Sequence, residues 1–182
     1  PLRLVGSEMC IRDSDNAIAE IKDKKFNITD ISSKVVSRNP SGPFTTSTLQ
    51  QVASSRLGFG ASRTMQIAQR LYQGIEIDGE TIGLITYMRT DGTNLSVDAI
   101  SDFRDFVKNN YGNDYLPEKP LNYSGKKAKN AQEAHEAIRP TDISRTPDTL
   151  KKYLSSDQQK LYNLIWGRAL SSQMETAKFD RN

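Results

Sequence analysis

Apolar positions along this chain fall into two rhythms, and the changes between them outline a succession of elements. A short helical stretch at 16–22 precedes residues 25–36, where Phe26, Ile28, Ile31 and Val35 alternate with polar neighbours as in a half-buried strand. The breaker cluster Arg38-Asn-Pro-Ser-Gly-Pro43 then reads as a boundary, since two prolines and a glycine interrupt hydrogen bonding. Ser47-Thr-Leu-Gln50 has the form of a capping box and predicts a helix to about Leu57, stopped at Gly58-Phe-Gly60. Ser62 is the expected cap of a second helix to about Gln73, with Met65, Ala68, Leu71 and Tyr72 on one face.

The period then shortens to two. Ile75-Glu-Ile77 and the run 81–86 flank Asp78-Gly79, a dipeptide suited to a turn with two positive φ angles, so a hairpin is predicted. Helix, turn, helix and hairpin in that order make a winged-helix-like unit, a shape that seats elements on nucleic acid. Further on, Ser96 is placed to cap a helix with Val97, Ile100, Phe103 and Val107 on one stripe, ending near Tyr111-Gly112. Residues 113–130 read as loop, and Thr146-Pro147-Asp148 as the start of another helix. The last helix, expected to be the longest, follows Ser155 and Ser156 and carries Leu161, Leu164, Ile165, Ala169 and Leu170 on its apolar face.

Composition narrows the classes. With 36% hydrophobic and 26% charged residues, nothing approaches the run of roughly 18 apolar residues that a membrane helix needs. Lys and Arg total 25 against 22 Asp and Glu, and the pI near 9.0 only reaches the threshold of a nucleic-acid footprint. Lys126, Lys127 and Lys129 read first as a solvated surface. The single cysteine, Cys10, supports neither an internal disulfide nor a four-ligand zinc site, so a reducing, cytoplasmic setting is expected. The opening residues lack the pattern of a signal peptide, and Val5-Gly-Ser-Glu-Met-Cys-Ile-Arg-Asp-Ser14 resembles translated sequencing adapter, so 1–15 stay unassigned.

The candidate chemistry lies in Gly83-Leu-Ile-Thr-Tyr-Met-Arg-Thr-Asp91. In an extended segment Tyr87 and Arg89 leave the same face, so a phenol and a guanidinium can meet one phosphate. The planar fork of arginine suits a phosphodiester, and its charge favours phenolate over phenol. The reaction implied is nucleophilic transesterification, through an ester that a DNA hydroxyl can attack back. On spacing alone the ordinary alternative leads: Tyr87 packing under the wing and Arg89 pairing with Asp91. His135, the one histidine, lies four residues before Arg139, and one helical turn would aim both at one groove.

Other motifs reverse those odds. Tyr87-Met-Arg-Thr-Asp91 after a hydrophobic strand resembles the active-site signature of type IA DNA topoisomerases of the bacterial topoisomerase I branch. The segments Pro43–Gln51, Leu57–Gly60 and Met65–Tyr72 resemble the stretch preceding that signature, and Ala131-Gln-Glu-Ala-His-Glu-Ala-Ile-Arg-Pro-Thr141 a later one. The likeness covers about residues 16–182. It implies that Tyr87 is the nucleophile that becomes linked to a 5′ phosphate and that Arg89 contacts the scissile phosphate. Asp91, Gln132, His135, Arg139 and Thr141 are expected along the DNA path, with Glu133 and Glu136 orienting the cations. Position 92 is Gly where the commoner family form has Ser, one hydroxyl fewer with the nucleophile in place.

The residues themselves suggest a mainly α fold with a small hairpin, a winged-helix-like catalytic domain at 47–173, and the resemblance adds that 16–46 and 174–182 are pieces of a neighbouring β-rich arch domain. The expected substrate is single-stranded or negatively supercoiled DNA, handled by a monomer with no membrane contact in the bacterial cytoplasm. Mg²⁺ is expected in the full-length enzyme, on an acidic domain absent here: no comparable Asp-x-Asp cluster is read in this sequence, since Asp13 and Asp15 fall in the unassigned opening residues and Asp23 and Asp30 are scattered after them. The isolated chain is therefore expected not to relax DNA. Two rivals remain: a winged-helix DNA-binding module without catalysis, and, ranked last, a tyrosine recombinase or type IB enzyme, which places its tyrosine near the end of the domain.

Overall fold

The structure, a computed structural model, describes residues 5–123 and 136–181, with side chains from residue 13 onward. The chain forms two compact units, Pro1–Val36 with Asp180–Asn182, and Ser37–Phe179. The described part of the smaller unit is dominated by α1, Val5–Ile21, which begins well before the short helix expected at 16–22. No proline interrupts it. The strand expected over 25–36 forms only at its end, as β1, Lys34–Arg38. Phe26, Ile28 and Ile31 are exposed, Ile28 by 82%, so no layer covers the apolar face that would commit that alternation to a sheet.

In the larger unit, α2 spans Thr46–Leu57. Its capping box is built by Thr45 and Thr48, two residues before the expected Ser47 and Gln50: Thr48 N donates to Thr45 Oγ1 at 3.3 Å and Thr45 N to Thr48 Oγ1 at 2.9 Å. Starting there lets Leu49 and Ala53 bury on one face. Gly58 ends α2 with φ 68°, the left-handed conformation that glycine adopts without a Cβ penalty. Next, α3, Ala61–Gln73, starts after Gly60 with no side-chain cap, so the expected Ser62 cap is absent. Thr64 instead donates its hydroxyl to Gly60 O at 3.0 Å.

The predicted hairpin is present as β2, Ile75–Ile77, antiparallel to β3, Glu80–Ile82, with Ile77 opposite Glu80. Asp78 (φ 51°) and Gly79 (φ 92°) give the turn its two positive φ values. The second strand stops at Ile82 rather than 86, because the residues that follow pair elsewhere. Ser96 caps α4, Val97–Tyr111, as expected, but Val97 is exposed and the buried stripe is Ala99, Phe103 and Val107. No regular helix forms over residues 146–154. That stretch is a chain of turns with bonds such as Lys151 N to Asp148 O at 3.3 Å, cut short by the extended Ser155.

Ser155 and Gln158 form the capping box of α5, Ser156–Ser171, whose 16 residues make it one shorter than α1. It buries Leu161, Tyr162, Ile165, Ala169 and Leu170. α2, α3 and α5 pack together around Leu49, Leu71, Leu84, Leu161 and Ile165, and a second cluster under α4 joins Phe103 and Val107 to Ile143, Ala169 and Leu170. Full burial of each such side chain contributes about 1.5–3 kcal/mol. β4, Ala177–Arg181, pairs with β1. The described chain is thus mixed and mostly helical: five α-helices and two small two-stranded sheets.

Candidate active site

Residues 83–90 are held by two segments that lie far from them in sequence. From one side, residues 137–141 supply a short ladder: Thr86 N donates to Arg139 O at 2.9 Å and Thr141 N to Leu84 O at 3.0 Å. Side chains reinforce it, since Thr141 Oγ1 donates to Gly83 O at 2.7 Å and Thr86 Oγ1 to Ala137 O at 2.7 Å. The start of α2 supplies the second hold. Thr46 Oγ1 lies 2.8 Å from Met88 O and 3.0 Å from Thr90 O, while Thr90 N donates to that hydroxyl at 2.8 Å. The stretch just before α2 and the stretch after residue 90 complete the knot, with Ile138 N donating to Phe44 O and Ala137 N to Asn94 O, both at 2.8 Å.

Within this frame, burial alternates along the sequence. Met88 and Thr90 face the interior, whereas Tyr87, Arg89 and Asp91 are exposed. Tyr87 shows 47% of its surface. Met88, 1% exposed, is the plug that fixes the segment to the core. Among the described residues no ion pair joins Arg89 to Asp91. Burial here alternates with the period of two expected from sequence, although the chain bends at Thr86 and Met88 and is not part of a regular strand.

Sequence reasoning missed Tyr72, which it assigned to an apolar helix face. Its ring lies edge-on to Tyr87 at 5.3 Å between centroids and is 40% exposed. The available signal was its place in the last turn of α3, directly before the hairpin that leads to Tyr87. Gly83 ties the two together: a Cβ there would sit 2.8 Å from Tyr72 O. Gly83→Ala should therefore destabilise the protein by about 1–3 kcal/mol. Urea unfolding of wild type and variant measures this; equal midpoints would show that the backbone yields freely.

Arg139 is anchored rather than free. Its Nε donates to Glu136 Oε1 at 2.6 Å and its Nη1 to Pro140 O at 2.9 Å. Glu136 Oε1 also accepts from Ser96 N at 3.0 Å, so this carboxylate joins residue 139 to the start of α4. Burial alone would raise the Glu136 pKa, but the bonds from Arg139 and Ser96 outweigh it and hold the carboxyl below its ordinary value. A depressed folded value means stability that is present at neutral pH and lost as pH falls through that value. Glu136→Gln should cost about 1 kcal/mol at pH 7, and the difference from wild type should close in acid below the usual carboxylate range. Paired melts from pH 7 to pH 3 test this; a constant difference would contradict it.

Gln132, Glu133 and His135, with Lys126, Lys127 and Lys129, lie outside the described residues. Thr141, expected on the DNA path, has its hydroxyl occupied by Gly83 O. Among the described residues no group of three or more His, Cys, Asp or Glu is placed to hold a metal ion, and no helix is long and apolar enough to cross a membrane.

Comparison with known proteins agrees with this arrangement of motifs. Residues 9–182 match the family described as DNA topoisomerase. DNA topoisomerase 1 of Rickettsia prowazekii is 54% identical over 169 residues, which is 93% of this chain and 22% of that protein. The Xylella fastidiosa (strain 9a5c) enzyme of the same name is 51% identical over 174 residues, 92% of this chain and 21% of that protein. The structure of full-length topoisomerase I from Thermotoga maritima superimposes with a TM-score of 0.73 at 41% identity, covering 91% of this chain and 26% of that one. The chain belongs to the bacterial DNA topoisomerase I family, the type IA class. It spans about a fifth of the length of the curated relatives it matches.

Proposed function

We propose that this chain supplies the strand-cleaving tyrosine of a type IA DNA topoisomerase. The observation that carries the reading is the alternation at 87–91: the Tyr87 phenol and the Arg89 guanidinium are offered to solvent from a segment pinned by buried Met88 and the Thr46 hydroxyl. The Tyr87 phenol gives up its proton to solvent as its oxygen bonds to a phosphorus of single-stranded DNA, the bond from that phosphorus to the 3′ oxygen breaks with its electron pair on that oxygen, and the 3′ oxygen takes up a proton from solvent. A 5′-phosphotyrosyl ester results. After another strand has passed, the 3′ hydroxyl attacks the same phosphorus and releases Tyr87, so negative supercoils relax without ATP.

Arg89 neutralises the scissile phosphate, and a fork held within bonding reach is most effective where the charge develops. Asp91 supports it, while Gln132, His135 and Arg139 contact the strand. Among the described residues the bonds of the Arg139 guanidinium are carried by Nε and Nη1, which leaves Nη2 for that purpose. Thr141 acts chiefly through the backbone it holds. Tyr72 limits the rotation of the Tyr87 ring. Type IA enzymes in general use Mg²⁺, but the described residues offer no set of ligands for it, and no step here is routed through the metal. α2, α3 and the hairpin are read as the winged-helix-like part of a tyrosine domain at 47–173, and 16–46 and 174–182 as pieces of a neighbouring arch. The protein works as a monomer in the bacterial cytoplasm.

The test is a chimera in which residues 37–179 replace the matching part of the Rickettsia prowazekii enzyme. With Mg²⁺ it should relax negatively supercoiled plasmid, and the isolated chain should not. A chimera that binds DNA yet never relaxes it would favour a binding module.

A further inference from the structure

The unit Ser37–Phe179 also holds an open cleft of about 780 Å³, lined in part by Arg38, Arg56, Arg168, Asn163 and Tyr115. Its charge is unbalanced. Three arginines face two carboxylates, Asp114 and Glu175, and among the described residues no salt bridge reaches any of the three. Glu175 has an oxygen occupied by Thr176 N at 2.9 Å. The Arg168 guanidinium is stacked 4.6 Å over the Phe44 ring, which fixes its plane. Burial, and then the charge of Arg56, makes its protonated form less favourable than usual, while the negative charge of an ionised Tyr123 acts the other way. Two guanidinium groups held near each other repel unless an anion sits between them. Tyr115 adds an exposed aromatic ring on the same cleft.

We infer that this cleft binds the backbone of single-stranded DNA, with Arg56 and Arg168 gripping a phosphate and Tyr115 stacking a base. Planar guanidinium forks, that of Arg168 held over the Phe44 ring, suit the phosphate, and a cationic groove with an exposed aromatic is the usual combination for single strands. The cleft also lies at the far end of the helix whose start holds the candidate active site. Thr46, which holds residues 88 and 90, begins α2, and Arg56 lies in its last turn. Ten residues at 1.5 Å each put about 15 Å of helix between the two, a span that a strand of a few nucleotides crosses. The identity of the strand rests on the proposed function; the anion site rests on the cleft.

The experiment is fluorescence anisotropy of labelled oligo(dT) on the complete 182-residue chain at several salt concentrations. Arg56→Gln and Arg168→Gln should each weaken binding several-fold. Together they should reduce the slope of log affinity against log salt by about 1.4, two contacts at roughly 0.7 each. Tyr115→Ala should weaken binding at least about fivefold. Arg56 is exposed, so Arg56→Gln alone decides the matter if Arg168→Gln melts early. A wild-type chain that does not bind, or affinity and slope unchanged in Arg56→Gln, overturns the inference. Displacement of the oligonucleotide by equimolar inorganic phosphate also overturns it, since that marks a free-anion site. Binding is read without cleavage, so this failure leaves the Tyr87 chemistry standing, and a failure of adduct formation leaves the cleft standing.

Discussion

Tyr87→Phe, carried in the chimera with residues 37–179, is expected to abolish the covalent DNA adduct while leaving the protein folded. The substitution removes one oxygen and keeps the ring against Tyr72, so the edge-on contact at 5.3 Å is retained. The side chain is half exposed, and its hydroxyl has no partner among the described residues, so the change in stability should stay within about 0.5 kcal/mol. Activity behaves differently, because nothing replaces a missing nucleophile. Relaxation should fall by at least about a thousandfold, in line with the loss of nucleophiles elsewhere. A denaturing gel with end-labelled oligonucleotide, beside a thermal melt, measures both quantities. Adduct persisting in the variant would assign the attack to another residue.

Met88→Ala should produce the largest loss of stability near the site. Met88 is 1% exposed and packs with Leu84, Ile85 and Ile138 beneath the segment that displays Tyr87 and Arg89. Truncation leaves a cavity and should cost about 2–5 kcal/mol, whereas Met88→Leu, which keeps the volume, should cost less than about 1.5. The two variants also separate packing from positioning. If the plug aligns its neighbours, Met88→Ala should lower relaxation by about tenfold to a hundredfold even where the protein remains folded, since small displacements of reacting groups are expensive. The leucine variant should recover most of it. Equal activity in all three proteins would show that the segment is held by its hydrogen bonds alone.

What the sequence made legible were the features decided within four or five residues. The Ser96 and Ser155 caps, the left-handed Gly58 and the Asp78-Gly79 turn each depend on local bonds, and each is where the residues placed it. The exposure of Tyr87 and Arg89 on either side of buried Met88 was readable for the same reason, from a period of two. Features decided by distant partners were not. Residues 25–36 alternate like a strand, but alternation is only an offer to a sheet, and no neighbour takes it up before β1. The α2 cap moved to Thr45 because the position of Leu49 in the core sets where the helix begins. The hydroxyls of Thr46, Thr86 and Thr141 reach backbone 42, 51 and 58 residues away, and no local pattern marks such bonds. Tyr72 was misplaced because a helix face that is apolar on average still has an edge.

The most direct measurement is mass spectrometry of the adduct trapped from the chimera after nuclease digestion and proteolysis. One modified peptide is expected, carrying a nucleotide joined through its 5′ phosphate to Tyr87. A nucleotide on Tyr72 or any other residue, or a linkage through a 3′ phosphate, would contradict it.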